Sequence, residues 1–220
     1  MTAASKGYKG IGMNGLIAVW YAQITQKNMD DFRREARQIA GWVSANADIL
    51  EIAPGPGYLS IELAKLGGYH ITGLDISPKF VEIAQAKAKE AGVNVDFRQG
   101  NASRMPFAAD AFDFIVCRAA FKNFAQPVEA LDEMHRVLRP GGRALIDDLR
   151  GDVSAETINR HVDGMGLNRI NTFLTKGAFK SMLIKRAYTT RDFEEMASRS
   201  AFGRCRIDPN AIGLYVWLEK

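Results

Sequence analysis

From residue 48 onward, short apolar runs alternate with longer segments in which hydrophobic positions recur at helical spacing. "DILEIA" (48–53), "HITGLD" (70–75), "VNVDFRQG" (93–100), "FDFIVCR" (112–118) and "RALIDD" (143–148) have the length and composition of buried strands. Between them, "YLSIELAKLG", "SPKFVEIAQAKAKEAG" and "PVEALDEMHRVLRPGG" read as helices. Ser77 is the expected cap of the second, with Pro78 at its first position and Gly92 past its end, and a Pro-Gly-Gly run stops the third. Strands alternating with single helices predict an α/β fold, a mostly parallel sheet with helices on both faces.

The flanks differ. Ahead of the first strand, "GLIAVWYAQITQ" is apolar on most sides. "DFRREARQIAGWVS" repeats Phe32, Ala36, Ile39, Ala40 and Val43 on one face, with Asp30 or Asp31 as cap. Helical stretches fill roughly 154–199. Then "GRCRIDP" and "IGLYVWLE" read as two strands joined at Pro209 and Asn210, the second expected to join the sheet edge in antiparallel sense. The expected layout is one domain: an N-terminal helical lid (1–45), a core (46–150), a helical cap (151–200) and closing strands (201–220).

Composition narrows the class. With 220 residues and 47% hydrophobic content the chain can bury one substantial core, and a net charge of +4 is too small to suggest nucleic acid as a partner. Two cysteines, Cys117 inside an apolar run, fit a reducing cytoplasm and lack metal-site spacing. Lys6 and Lys9 before "IGMNGLIAVWYAQI" loosely imitate an export signal, but Trp20, Tyr21 and Gln23 interrupt it and no small-x-small site follows. No apolar run approaches the ~20 residues of a membrane span.

Candidate chemistry begins where the first strand ends, at "APGPG". Ligands of open parallel sheets bind outside the strands' carboxyl ends. Gly55 and Gly57 would let backbone N–H groups approach a bound molecule. Asp75, 18 residues after Gly57 and at the end of the second strand, is placed to accept both hydroxyls of a ribose. Asn101, in the loop after the third strand, offers an amide to an adenine edge. Turn, acid and amide on one sheet edge describe a nucleoside site. A nicotinamide dinucleotide would usually bring a third glycine, where this chain has Ser60, and Pro56 separates the other two.

The successive segments "ILEIAPGPGYLSIELAK", "ITGLDIS", "GNASRMPFAADAFDFIVCRAAFKNF" and "EMHRVLRPGGRALI" resemble the ordered motifs of class I S-adenosylmethionine-dependent methyltransferases, over about residues 48–148. The resemblance implies a Rossmann-like seven-stranded sheet with an antiparallel last strand, and S-adenosylmethionine as cofactor. It implies that Glu51 orients the amino-acid end, bordered by the turn from Ala53 through Gly55 to Gly57. It also implies that Asp75 holds the ribose, that Ile76 packs on the adenine, and that Asn101 and Ala102 meet its edge. The strand end at Cys117 and Arg118 would offer a carbonyl to the ammonium. Two positions depart from the family, which usually has glycine at Ala53 and commonly aspartate at Asn101. The segment from Ala119 to Gly142 is similar to quinone-ring C-methyltransferases, which carry Arg-Asn where this chain has Lys122-Asn123.

Methyl transfer needs alignment of a nucleophile and, for many acceptors, a base. His70 starts its strand, and His135 lies eight residues, about 12 Å, down its helix, so both fall away from the ligand edge. The remaining candidates are Asp148 (or Asp147) at the end of the fifth strand, His161 in the cap, and Tyr21 in the lid. A bland role is open for each: helix cap, solvated helix residue, ordinary aromatic packing. "TKGAFKSMLIKRAY" sets Lys176, Lys180, Lys185 and Arg186 among apolar residues, a possible cationic roof or membrane-surface contact. The expected activity is methyl transfer to a small, largely apolar acceptor. The alternatives are a non-catalytic S-adenosylmethionine-binding module and a nicotinamide-dependent oxidoreductase.

Overall fold

The computed structural model describes residues 7–9, 15–26, 29–164, 166, 169–178 and 184–220. Its elements in chain order are α1 (Leu16–Thr25), α2 (Met29–Ala40), β1 (Asp48–Ile52), α3 (Tyr58–Leu66), β2 (His70–Asp75), α4 (Pro78–Glu90), β3 (Asp96–Gln99) and β4 (Phe112–Arg118). There follow α5 (Pro127–Val137), β5 (Leu138–Leu149), α6 (Ala155–Asp163), α7 (Arg169–Ala178), α8 (Thr190–Arg199), β6 (Arg206–Pro209) and β7 (Gly213–Glu219). Short 3₁₀ turns lie at Phe121–Asn123 and Ile184–Arg186.

The seven strands form one sheet in the order β3-β2-β1-β4-β5-β7-β6. β1 pairs in parallel with β2 and β4, β2 with β3, and β4 with β5, while β7 runs antiparallel to both β5 and β6. The second closing strand thus joins the parallel sheet beside β5 in antiparallel sense, as expected, and β6 lies outside it as the edge. Period-two alternation splits each central strand between two cores. Leu50, Ile52, Ile115 and Ile146 face α5 and α8, packing with Leu131, Met134, Phe193 and Met196. Ile49, Phe114, Val116 and Leu145 face α2 and α3, packing with Phe32, Ile39, Leu59 and Leu63.

That second face revises the N-terminal lid. α2 is a helix of the sheet layer, its Phe32, Ala36 and Ile39 buried, and Trp42 beyond it meets Trp217 edge-on at 4.8 Å. Asp30 and Asp31 lie inside its first turn, paired with Arg33 and Arg34, rather than before it. α1 lies over the cavity described below, tied down by the Tyr58 hydroxyl donating to the Ala22 carbonyl at 2.9 Å, and α2 adds Phe32 to the cavity's lining. Ser77 caps α4 through the Phe80 N–H, with Pro78 at the first position, as predicted.

β5 starts five residues earlier than its apolar run. Leu138 pairs with Phe112, and the Gly141 N–H and Gly142 carbonyl bond the Lys220 carbonyl and N–H, so the Pro-Gly-Gly stop is drawn into the ladder. Phe179, Lys180, Met182 and Leu183 of the expected cationic roof lie outside the described residues.

Candidate active site

β1 has β2 on one side and β4 on the other, so the chain leaves it in one direction and later returns in the opposite one. Such a reversal opens a crevice at the carboxyl ends of the two central strands. A cavity of about 960 Å³ occupies that place, lined by Glu51, Ala53, Gly55, Asp75, Ile76, Asn101, Ala102 and Arg118 among others.

The turn after β1 is built from left-handed residues: φ is +56° at Ala53, +54° at Gly55 and +79° at Gly57. Gly55 faces open space, and an added Cβ would meet nothing nearer than the Tyr21 ring at 4.0 Å. Gly57 does something else. A Cβ there would stand 2.6 Å from the Phe97 ring and 2.9 Å from Ala84, and Gly57 does not line the cavity. Its lack of a side chain serves packing at the start of α3, which corrects the expected approach to a ligand. Ala53 keeps its left-handed geometry despite carrying a methyl group where glycine is the easy residue.

Asp75 ends β2 buried. One carboxylate oxygen accepts the Gly55 N–H at 3.0 Å and the other the Ser77 N–H at 2.8 Å, so the acid also fixes the glycine turn. Burial raises its pKa, opposed by those backbone donors. Glu51 accepts from the Ser60 N–H at 2.9 Å and from the Ser60 hydroxyl. Burial pushes its carboxyl up to about 7, against the Ser60 bonds and Arg118. Ser60, at the third-glycine position, is thus the partner of the acid on β1. Across the cavity, the Asn101 side-chain oxygen accepts the Ser103 N–H at 2.9 Å. Residues 7–9 run as a strap beside it: Tyr8 bridges Phe124, and the Lys9 N–H donates to the Asn123 carbonyl at 2.7 Å.

At the end of β4, the Arg118 guanidinium lies over the Phe32 ring at 4.8 Å. It pairs with Glu35 at 2.7 Å and sits 3.7 Å from Asp147. Burial pushes Glu35 up to about 8, with Arg118 pulling the other way. Glu35 was not foreseen, yet a signal exists: three residues after Phe32, it is an acid on the apolar stripe of α2.

The three catalytic candidates separate. Tyr21 lines the cavity, edge-on to Phe80 at 5.9 Å. His161, on α6, is not among the lining residues. Asp148 is not either: it points away, buried, and accepts from the Lys122 ammonium at 2.6 Å and the Lys122 N–H at 2.9 Å. A carboxylate held this way is an anchor for the segment after β4 rather than a base facing the cavity. Arg186, expected in a cationic roof, lines the cavity, as do Tyr8 and Lys122, which were not singled out for it. Tyr8 had no local pattern to mark it, and Lys122 stood out only as a departure from Arg-Asn.

Residues 50–146 match the family described as a methyltransferase domain. A demethylmenaquinone methyltransferase of Chlorobaculum parvum is 35% identical over 114 residues, 52% of this chain and 45% of that protein. The chain spans about half the length of the curated relatives it matches first. Among solved structures, a Methanococcus maripaludis protein assigned as an S-adenosyl-L-methionine-dependent methyltransferase superposes with a TM-score of 0.77 at 21% identity, covering 96% of this chain and 95% of that one. The plantazolicin methyltransferase BpumL, solved with a desmethyl substrate analogue and SAH, gives 0.65 at 16% identity, covering 89% and 84%. At these identities the structural likeness establishes the fold.

Proposed function

We propose that the chain is a class I S-adenosylmethionine-dependent methyltransferase, a reading supported by the match of residues 50–146 to a methyltransferase domain, and that it transfers a methyl group from S-adenosylmethionine to a small, largely apolar acceptor. One observation carries the reading. An open glycine turn, a buried acid bonded to that turn, and an amide on the next loop converge on a single cavity at the sheet's reversal point. Its volume is at the upper end of the roughly 300–1,000 Å³ of small-molecule sites, room for a cofactor and an acceptor together.

When bound, the cofactor supplies an electrophilic methyl group on a sulfonium. The protein's residues do the rest by holding and aligning. Asp75 has lone pairs beyond those taken by Gly55 and Ser77, and these would receive the ribose hydroxyls. Ile76 and Ala102 would flank the adenine, with the Asn101 amide at its edge. Glu51 would take the ammonium, with the Arg118 backbone carbonyl beside it, and the Gly55 turn would border the amino-acid end. Tyr21 and α1 would cover the methyl group from above. The likeness to demethylmenaquinone methyltransferases supports a finer reading, a hydroquinone-type ring as acceptor.

Calorimetric titration with S-adenosylhomocysteine tests the cofactor assignment, with micromolar-range binding expected. Transfer of labelled methyl from S-adenosylmethionine into a panel of hydroxylated naphthalenes and benzenes tests the activity. Absence of binding by either nucleoside, with NADH binding instead, would turn the assignment to the oxidoreductase. Cofactor binding with no labelled product from the panel would favour a binding module.

A further inference from the structure

Asn101 departs from the motifs that the chain resembles, and the structure fixes which way its amide is turned. The side-chain oxygen accepts the Ser103 N–H at 2.9 Å, and the Asn101 main-chain carbonyl accepts the Arg104 N–H at 2.9 Å. A backbone N–H can only donate, so the atom facing Ser103 must be the oxygen. Turning the amide over would set two donors against each other. The nitrogen, Nδ2, is therefore directed away from the loop.

The strap shows where that nitrogen points. Gly7, itself in the cavity lining, lies against Ile76 and Asn101. A Cβ built on it would stand 2.6 Å from Ile76 Cδ1, 2.7 Å from Asn101 Nδ2 and 2.9 Å from Asn101 Cγ, and the amide oxygen lies no nearer. Asn101 lines the cavity and is half-buried, and Nδ2 donates no hydrogen bond among the described residues. An amide nitrogen carries two N–H donors and accepts nothing. An aspartate at this position would keep the Ser103 bond with one oxygen and present its other oxygen, an acceptor, in the place of Nδ2. The amide thus reverses the hydrogen-bonding polarity of this piece of cavity wall.

We propose that Asn101 reads the cofactor's base through a ring nitrogen: Nδ2 donates to N1 or N7 of the adenine, and the exocyclic amino group at C6 is not read by this residue. The inference rests on the methyl-transfer reading and deepens it by naming how the base is selected. On adenine the amino group is a donor, while the ring nitrogens on either side of it are acceptors. Nδ2 opposite the amino group would leave two donors facing each other in a partly desolvated site, which costs more than a bond not made. Placed beside a ring nitrogen it meets a lone pair. Selection then follows a rule opposite to that of a carboxylate. A base without its amino group is accepted, and a base without the ring nitrogen is rejected, because the amide is left unpaired.

The test is calorimetric titration of the wild type and of Asn101→Asp with S-adenosylhomocysteine, its analogue lacking the 6-amino group, and its 1-deaza and 7-deaza analogues. In the wild type, loss of the amino group should weaken binding less than about threefold, whereas one of the deaza changes should weaken it about tenfold. Asn101→Asp retains an acceptor for the Ser103 N–H, so the loop is kept, and the two preferences should exchange. Amino removal should then cost about tenfold, and the deaza penalty should fall below about threefold. A wild type that tolerates both deaza changes, or that loses about tenfold with the amino group, overturns the proposal, as does the same pattern in both proteins. The wild-type pattern decides alone if the variant fails to fold. Any of these failures with S-adenosylhomocysteine still bound leaves the methyltransferase reading standing, whereas no S-adenosylhomocysteine binding by the wild type removes the reading itself.

Discussion

If Glu51 holds the ammonium of the cofactor, affinity must climb with pH through neutrality. Its carboxyl is buried at the end of β1 and pushed up to about 7, chiefly by burial. About one-tenth of it is then ionised at pH 6 and about nine-tenths at pH 8. A cation placed against it favours the ionised form, so binding below pH 7 must expel a proton. The association constant for S-adenosylhomocysteine should rise about tenfold between pH 6 and 8, equivalent to about 1.4 kcal/mol. Calorimetry in two buffers of different ionisation enthalpy measures both the slope and the protons released, which should approach one per site at pH 6. Glu51→Gln keeps an oxygen for Ser60 but cannot titrate, and should bind weakly with a flat profile. A flat wild-type profile, or the same slope in Glu51→Gln, would refute the assignment. The sign for stability follows from the same shift. A carboxyl raised on folding favours the fold below its ordinary value near 4.5, and that contribution is lost as pH rises through about 7. Glu35, raised to about 8, acts in the same direction. The ligand-free protein should therefore lose melting temperature from pH 5.5 to 8.5, and S-adenosylhomocysteine should restore part of it.

Asp75→Ala should weaken S-adenosylhomocysteine binding by at least about 1–3 kcal/mol, since a charged acceptor is lost and the Gly55 N–H is released, and unchanged affinity in calorimetry would count against the ribose role. Gly57→Ala should destabilise by about 2–4 kcal/mol in urea unfolding, because a left-handed alanine meets the Phe97 ring at 2.6 Å, and a near-neutral result would contradict the packing role. Ala53→Gly should raise stability by about 0.5–1 kcal/mol in the same assay, the relief of φ +56° outweighing the chain entropy that glycine adds.

The succession of strands and helices was legible because each central strand is covered on both faces and reads as an apolar run, and because Ser77, Pro78 and Gly92 mark the two ends of α4. What escaped was decided between distant segments. α2 looked like part of a lid because its stripe of Phe32, Ala36 and Ile39 says that a face is buried but not against what. That β6 lies outside β7 was not readable, because hydrophobic alternation does not state which neighbour a strand takes. Glu51, Gly55, Asp75 and Asn101, the residues proposed to meet the cofactor, could be grouped from the sequence, since they sit at or just past the ends of recognisable strands. Tyr8, Lys122 and Leu149, which line the same cavity, could not, since they come from three segments that only the fold brings together.

The same geometry explains why the cavity is already shaped for a ligand. Ala53 and Ala119, at the ends of the adjacent strands β1 and β4, both have positive φ, +56° and +53°, where an alanine is strained. Each is held there by one more rung of the ladder: the Ala53 N–H donates to the Leu74 carbonyl at 2.8 Å, and the Ala119 N–H to the Asp147 carbonyl at 2.7 Å. The rungs extend opposite sides of the sheet, one toward β2 and one toward β5, so the two strand ends are drawn apart where the crevice opens. Asp75 then fixes the first turn through Gly55, and Asp148 fixes the second through Lys122. Two buried acids, on the strands β2 and β5 that flank β1 and β4, thus hold two strained turns in place, and the cost of ordering the site is met by the sheet before any ligand arrives.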